Sequence, residues 1–186
     1  MKIIGKKILW TGKFLRSVII RYSDSRAPAE KPVLRGWEAV ERINCDGVVA
    51  IVPFTSDGSV VLIRQFRPPI NGYVVELPAG LCDVGEQPEA AARRELMEET
   101  GYSANEIRFL TRGPISSGLS SEMLDVFAAT DIEFVGIGKR DETENIDVLK
   151  VPLEKLVSEL AVFQKAGNHI DLKLYGLIMM AKILSF

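Results

Sequence analysis

The sequence predicts a layered α/β domain with a mixed β-sheet, preceded by a small N-terminal β arm. Three observations carry the α/β prediction. Apolar strand-like runs recur from Trp37 onward, helical stretches interrupt and follow them, and the 186 residues suit one domain with a short extension. Strands that alternate with helices at such intervals are typical of layered α/β domains.

The N-terminal arm is expected to occupy residues 1–36. Its sequence alternates between Lys, Gly and Ser and short β-prone runs, of which residues 14–22 (FLRSVIIRY) are an example. Residues 23–32 then contain two prolines and small polar residues, which predicts a loop. We therefore divide the chain into an arm at residues 1–36 and a main domain at residues 37–186.

Four apolar runs open the main domain: WEAVERI, GVVAIVPF, SVVLIRQF and YVVELPAG. Asp57-Gly58 predicts a hairpin turn between the second and the third run. A helix is expected from Pro88, because proline has no N–H to lose in a first turn, to a left-handed cap at Gly101. Two further strands are predicted at residues 107–110 and 124–129, and two further helices at residues 153–165 and 170–184.

Composition and charge argue against several classes of function. The formal net charge is -2 and no long Lys/Arg block occurs, so a protein that grips nucleic acid by its phosphates is not expected. The most apolar stretch, residues 174–183, is too short to span a bilayer. The two cysteines, Cys45 and Cys82, have no metal-ligand spacing and predict reduced thiols. These features favour a soluble, cytoplasmic protein that contacts neither nucleic acid nor membrane.

Three glutamates, Glu95, Glu98 and Glu99, are expected on one side of the helix that begins at Pro88. With 3.6 residues per turn they fall within an arc of roughly 100°. Like charges repel at this spacing, and Arg94 offsets only part of that by pairing with Glu98 at i,i+4. Magnesium combines carboxylates with water and substrate phosphates, so the cluster predicts a metal-assisted diphosphate site. The alternative is a solvated, salt-bridged helix face.

Residues 80–102, GLCDVGEQPEAAARRELMEETGY, favour the metal site over the solvated face. They reproduce the spacing G-x5-E-x7-R-E-U-x-E-E-x-G-U, where U is a bulky apolar residue, and so resemble the signature of the Nudix hydrolases. Tyr102 stands at the last position, where an aliphatic residue is usual. The fixed identities are Gly80, Glu86, Arg94, Glu95, Glu98, Glu99 and Gly101.

The resemblance implies the Nudix-type α/β/α sandwich, in which a mixed β-sheet lies between helices, and a role for each signature residue. Glu95 and Glu99 would be the central metal ligands and Glu98 a third, with Arg94 orienting the carboxylates beside them. Glu86 would tie the loop to the helix, while Gly80 and Gly101 would be structural. The carbonyl of Ala79 would also bind metal, either Mg²⁺ or, alternatively, Mn²⁺.

The flanking sequence resembles the ADP-ribose and nucleoside-diphosphate-sugar pyrophosphatases of that family. VLIRQFRPP and ELPAG precede the signature, and ISSGLSSEMLDVFAA resembles a following loop and strand, although Ser117 stands where proline is usual. DETENIDVLKVPLEKL resembles an acidic loop that supplies a base, because carboxylates committed to metal accept a proton poorly. Glu144 is the first choice for this base and Glu142 the second; an exposed acidic turn is the alternative.

The expected reaction is hydrolysis of ADP-ribose or a related nucleotide sugar to a nucleoside monophosphate and a sugar phosphate. GDP-mannose, a dinucleoside polyphosphate or an oxidised nucleoside triphosphate are alternative substrates, and a non-catalytic nucleotide-sugar sensor is an alternative function. Relatives of the subgroup dimerise through an N-terminal β arm, which implies a homodimer here.

Four residues outside the signature are candidates for substrate binding. Arg64 and Arg67 could hold diphosphate or ribose oxygens, with surface salt bridging as the alternative. Trp37 could stack on a purine base or lie in the core or a dimer interface. Glu122 could touch the substrate or order its loop. His169 is expected in a loop and helix cap, and Cys82 needs no function.

Overall fold

The computed structural model describes residues 1–24, 33–136 and 145–185 of the chain. Its helices are α1 (Pro88–Thr100), α2 (Leu156–Lys165) and α3 (Lys173–Ser185), and single 3-10 turns lie at Pro68–Ile70 and Leu153–Lys155. Its strands are β1 (Lys2–Thr11), β2 (Leu15–Asp24), β3 (Val33–Arg42), β4 (Gly47–Pro53), β5 (Ser59–Arg67), β6 (Gly72–Glu76), β7 (Ala79–Cys82), β8 (Tyr102–Pro114), β9 (Met123–Phe134), β10 (Ile146–Pro152) and β11 (His169–Ile170).

The N-terminal sheet is antiparallel and has the order β1-β2-β3. It continues through Arg42, whereas the sequence placed the boundary of the arm at residue 36. Val18 and Ala39 are its buried apolar side chains, and neither belongs to a larger core cluster. The predicted loop at residues 23–32 lies outside the described residues except for its first two, which end β2.

Two mixed four-stranded sheets form the main body, in the orders β10-β5-β6-β11 and β7-β4-β9-β8. In the first, β11 runs parallel to β6, and in the second, β4 runs parallel to β9. The predicted α/β architecture with mixed sheet pairing is therefore confirmed. The sheets face each other across a core that includes Val52, Leu62 and Leu77.

The predicted turn at Asp57-Gly58 is confirmed: Gly58 has φ +80°, and its N–H donates to the carbonyl of Thr55 at 3.0 Å. The strands on either side do not form an extended hairpin, because β4 and β5 belong to different sheets and only one antiparallel bridge, Phe54 to Val60, joins the chain across the turn. Residues 49–53 of β4 and residues 59–63 of β5 are buried in succession, so both faces of these segments are covered. A continuous apolar run indicates such burial but does not identify the neighbouring strand.

Helix α1 begins and ends where the sequence predicts. Pro88 occupies the first turn, and Gly101 adopts φ +77° while its N–H donates to the carbonyl of Met97. Ala91, Ala92 and Leu96 bury one side of α1 against the second mixed sheet. Glu99 is buried on this same side, so the signature carboxylates lie beside the packed face of the helix and not opposite to it. Among the described residues, no helix is long and apolar enough to cross a membrane.

Candidate active site

Arg94 gathers the carboxylates of α1 around one guanidinium group. Its Nη1 donates to Glu95 Oε1 at 2.8 Å and to Glu98 Oε2 at 3.1 Å, so the expected i,i+4 pair is present. The carboxylate of Glu95 is 14% exposed and that of Glu98 40%. Glu98 is thus the solvent-facing member of the cluster.

Glu86 connects the signature loop to this guanidinium. Its two oxygens accept hydrogen bonds from Arg94 Nε and Nη2, both at 2.9 Å, in a bidentate pair. Arg94 Nη2 also donates to the carbonyl of Leu81 at 2.8 Å. The hydrogen bonds from Arg94 lower the pKa of the Glu86 carboxyl, and the same bonds raise the pKa of Arg94. Loop and helix are therefore held by one charged network.

The chain at Ala79 and Gly80 passes directly against α1. The backbone N–H of Ala79 donates to Glu99 Oε2 at 2.9 Å, and Glu99 is only 4% exposed. A Cβ built on Gly80 would lie 1.9 Å from Glu95 Cδ, so only glycine leaves room for this carboxylate. A side chain at position 80 would therefore displace the carboxylate of Glu95 from this place.

These residues fit a hard divalent cation by the chemistry of their donors. Glu95, Glu98 and Glu99 offer carboxylate oxygens, Ala79 contacts Glu99 through its N–H, and oxygen is the donor that Mg²⁺ prefers. Within the described ranges no three acidic, His or Cys side chains are already gathered as a ligand set. Arg94 contacts both Glu95 and Glu98 and balances part of their negative charge.

A cavity of about 140 Å³ opens beside Ala79, between the two mixed sheets and the start of α3. We call it the Ala79 cavity. Arg67 and Glu76 lie on its wall, and Arg67 Nε donates to Glu76 Oε1 at 2.8 Å. Arg67 therefore shares a cavity with Ala79, the residue before the signature glycine. Ala79 belongs both to this cavity and to the contact with Glu99.

Arg64 lies elsewhere. Its guanidinium pairs with Asp147, donates through Nε to Asn168 Oδ1 at 2.7 Å, and covers the Tyr73 ring at 3.9 Å. Arg64 does not line the Ala79 cavity. These contacts correspond to the salt-bridging alternative for this residue.

Strand β3 of the N-terminal sheet holds the loop between β8 and β9. Trp37 Nε1 donates to the carbonyl of Gly118 at 2.9 Å, and Arg42 pairs with Glu122. The backbone N–H of Val40 also donates to Leu119 O at 2.9 Å. Glu122 thus orders its loop, and Trp37 keeps a half-exposed ring beside it.

The remaining candidates fall into two groups. Glu142 and Glu144 lie outside the described residues. His169, expected in a loop and helix cap, instead lies in β11, where backbone pairing with β6 fixes it, and Cys82 is 1% exposed. Burial raises the pKa of the Cys82 thiol to about 11, so the group is neutral at physiological pH.

Sequence reasoning missed two features that adjoin the site. Asp46 Oδ2 accepts the N–H of Gly85 at 2.7 Å and so fixes the signature loop. Asp171 and Lys173 line the Ala79 cavity from the start of α3. The Asp46-Gly47 pair before an apolar run marks a turn, but nothing local relates it to Gly85.

Comparisons with known proteins agree with this geometry. Residues 46–171 match the NUDIX domain family. An ADP-ribose pyrophosphatase of Bacillus subtilis (strain 168) is 34% identical over 87% of this chain and 85% of its own length. A GDP-mannose pyrophosphatase of Enterobacter sp. (strain 638) is 39% identical over 67% of each chain. The crystal structure of an ADP compounds hydrolase, 22% identical, superposes with a TM-score of 0.76 over 97% of this chain and 91% of its own.

The chain belongs to the NUDIX family, since the matched domain spans well over half of it. The structural neighbour shows the fold alone. Together with the curated relatives, the domain indicates a pyrophosphatase, that is, a hydrolase of phosphoric anhydride bonds. Within the family, the relatives point to the group of ADP-ribose pyrophosphatases.

Proposed function

We propose that this protein hydrolyses the diphosphate bond of ADP-ribose or a related nucleoside diphosphate sugar to a nucleoside monophosphate and a sugar phosphate. One observation carries the proposal. The signature carboxylates lie around Arg94. The backbone at Ala79 and Gly80 passes beside them, and because Gly80 has no side chain the carboxylate of Glu95 fits there. The similarity to an ADP-ribose pyrophosphatase over 87% of the chain supports the choice of substrate.

Glu95, Glu98, Glu99 and the Ala79 carbonyl would hold the divalent ions, Mg²⁺ or Mn²⁺. When bound, such ions neutralise the charge of the diphosphate and lower the pKa of a bound water molecule, which makes it a better nucleophile. Arg94 keeps the carboxylates in register before and during turnover, because its bonds to Glu86 and Leu81 O anchor it independently of them. Arg67 donates to substrate oxygens at the mouth of the Ala79 cavity.

Glu144 is proposed as the base that takes the proton of the attacking water, with Glu142 as the second choice. Both lie outside the described residues, in the segment that precedes β10. Glutamates already committed to a cation are weak proton acceptors, so a separate carboxylate is required. The variants E144Q and E142Q distinguish the two, because the larger loss of kcat identifies the base.

The substitution Glu99→Gln tests the metal-dependent mechanism. Glutamine keeps the size and still accepts the Ala79 N–H, but it removes the charge that a cation requires. We expect kcat to fall at least ~100-fold and the Mg²⁺ requirement to rise. Glu89→Gln is the matched control, since Glu89 lies on the same helix and pairs with Arg93 on the solvent side. Unchanged turnover in E99Q would disprove the mechanism.

A panel of substrates tests the choice of nucleotide. ADP-ribose, GDP-mannose, a dinucleoside polyphosphate and an oxidised nucleoside triphosphate are compared for release of phosphate monoester. GDP-mannose is the second candidate, because a GDP-mannose pyrophosphatase is 39% identical over 67% of the chain. Turnover of a triphosphate without turnover of ADP-ribose would contradict the proposal. Binding without turnover of any member would indicate a nucleotide-sugar sensor.

We also propose that the protein is a homodimer joined through its N-terminal sheet. Apolar side chains of this sheet are exposed on the chain by itself, among them Ile3, Ile8, Trp10 and Leu34. Large apolar patches of this kind usually mark an interface. A second copy is the partner expected from the resemblance to dimeric relatives.

A further inference from the structure

The Ala79 cavity is lined by charged groups of both signs over an aliphatic floor. Arg67 and Lys173 supply the positive charges, and Glu76 and Asp171 the negative ones. Leu77 and Leu124 are among the apolar residues beneath them. No aromatic side chain of the described residues lines the cavity. A flat nucleobase would therefore find no stacking partner there.

The charged groups are arranged as two adjacent ion pairs. Arg67 pairs with Glu76 at 2.8 Å, and Lys173 Nζ pairs with Asp171 at 2.7 Å. The backbone N–H of Asp171 donates to the carbonyl of Val75, the neighbour of Glu76, at 3.0 Å. This bond fixes the start of α3 beside the end of β6. The cavity thus presents donors and acceptors at positions that the fold determines.

The volume of about 140 Å³ is well below the roughly 300–1,000 Å³ of sites that hold a whole small-molecule ligand. Only one portion of a nucleoside diphosphate sugar can enter it. A sugar ring offers hydroxyl donors and acceptors around a small apolar body, with a phosphate attached. That chemistry matches carboxylates and cations above an aliphatic floor better than a base does.

We propose that the Ala79 cavity binds the phosphosugar portion of the substrate and that Asp171 and Lys173 determine which sugar is accepted. The inference rests on the proposed function. Asp171 accepts hydrogen bonds from sugar hydroxyls, and Lys173, whose ammonium carries three donors on a flexible stem, donates to a hydroxyl or to the adjacent phosphate. A sugar whose hydroxyls do not match these two groups forgoes the hydrogen bonds and so loses transition-state binding.

The test measures two specificity ratios in the full-length protein. The sugar ratio compares kcat/KM for ADP-ribose with that for ADP-glucose, which have the same base. The base ratio compares ADP-glucose with GDP-glucose, which have the same sugar. In Lys173→Met and Asp171→Asn we expect the sugar ratio to change at least ~10-fold and the base ratio less than ~2-fold. Lys182→Met is the matched control on the same helix, and both of its ratios should equal those of the wild type.

A binding measurement separates this inference from the proposed function. Calorimetry with the products, ribose 5-phosphate and AMP, requires no turnover. We expect Lys173→Met to weaken the binding of ribose 5-phosphate at least ~10-fold and the binding of AMP less than ~2-fold. An altered base ratio, two unaltered ratios, or a selective loss of AMP binding would each overturn the inference. If the wild type cleaves no nucleotide sugar, the proposed function fails, and the product affinities alone then decide what the cavity binds.

Discussion

Arg94 shows how single residues stabilise this site before any cation is bound. Three glutamates close together on one helix would repel one another, yet Arg94 contacts Glu95 and Glu98 and is itself fixed by Glu86. The guanidinium is 29% exposed, so these bonds are partly shielded from water. The carboxylates are consequently held near one another at little cost to folding.

The ionisation of Glu86 makes the free energy of unfolding depend on pH, and the lowered pKa of this carboxyl fixes the direction of that dependence. Hydrogen bonds from Arg94 lower the pKa of its carboxyl below the ordinary value of 4.5. The unfolded chain therefore binds the proton first as the pH falls, and the stabilisation is complete above about pH 4.5 and lost below it. Relative to wild type, Glu86→Gln should lose about 1.5–3 kcal/mol near neutral pH, since hydrogen bonds to charged groups contribute this much.

Urea unfolding of wild type and E86Q across a pH series measures this effect. The difference in the free energy of unfolding should be constant near neutral pH and should shrink as the pH falls through the lowered pKa of Glu86. A difference that persists unchanged into strong acid would show that the charge of Glu86 is not responsible.

Gly80 should affect the site without affecting the fold. A Cβ at this position would meet the carboxylate of Glu95, which is the far end of a flexible side chain and can move away. Gly80→Ala should therefore shift Tm by no more than ~3 °C, while the Mg²⁺ concentration for half-maximal activity rises at least ~10-fold. Gly113→Ala is the control, because no atom lies within 4 Å of its added Cβ. A G80A variant with a normal Mg²⁺ requirement would contradict this assignment.

At the scale of elements, β3 connects the N-terminal sheet to the loop that carries Glu122. The bonds from Trp37 Nε1 to Gly118 O and from the N–H of Val40 to Leu119 O fix the loop to the strand, and the pair of Arg42 with Glu122 adds a charged contact. The ring of Trp37 remains half-exposed beside this loop. The indole N–H and the ring therefore have separable roles.

Two substitutions at Trp37 separate these roles. Trp37→Phe removes the N–H but keeps a ring, so it should cost about 0.5–1.5 kcal/mol of stability and leave KM within ~3-fold of wild type. Trp37→Ala also removes the ring and should raise KM about 10-fold if the ring stacks on a base. Steady-state kinetics with one substrate compares the two. Equal KM values in W37F and W37A would exclude stacking and leave only the contact with Gly118.

The sequence predicts those elements whose signals are local. It does not predict features that depend on a strand or side chain distant in the sequence. Pro88 and Gly101 mark the ends of α1 because proline and glycine act on their own backbone. The Asp57-Gly58 turn is also local, but the placement of β4 and β5 in separate sheets depends on their pairing with β9 and β10, far along the chain. Arg64 and Arg67 looked equivalent in sequence, yet an odd separation along a strand directs them to opposite faces, and only Arg67 reaches the Ala79 cavity.

At the scale of the whole molecule, the N-terminal sheet lacks a core of its own. Val33 and Leu34 are consecutive in β3 and therefore point to opposite faces, yet they are 38% and 69% exposed. Neither core cluster of the main body includes a residue of this sheet. A three-stranded sheet needs an apolar face that is covered in order to be stable. The described part of the chain leaves much of that surface open.

In the proposed homodimer a second copy would bury the exposed apolar side chains of the N-terminal sheet. Charged substitutions on this sheet test the proposal. The double substitution Trp10→Glu with Leu34→Glu introduces charges of one sign at two side chains that are 62% and 69% exposed. Burying an unpaired charge in an interface costs several kcal/mol, so sedimentation should show a dimeric wild type and a monomeric variant. Val157→Glu, at a 70% exposed apolar residue of α2, is the control and should remain dimeric. A monomeric wild type, or a variant that still dimerises, would contradict the proposal that the homodimer is joined through this sheet.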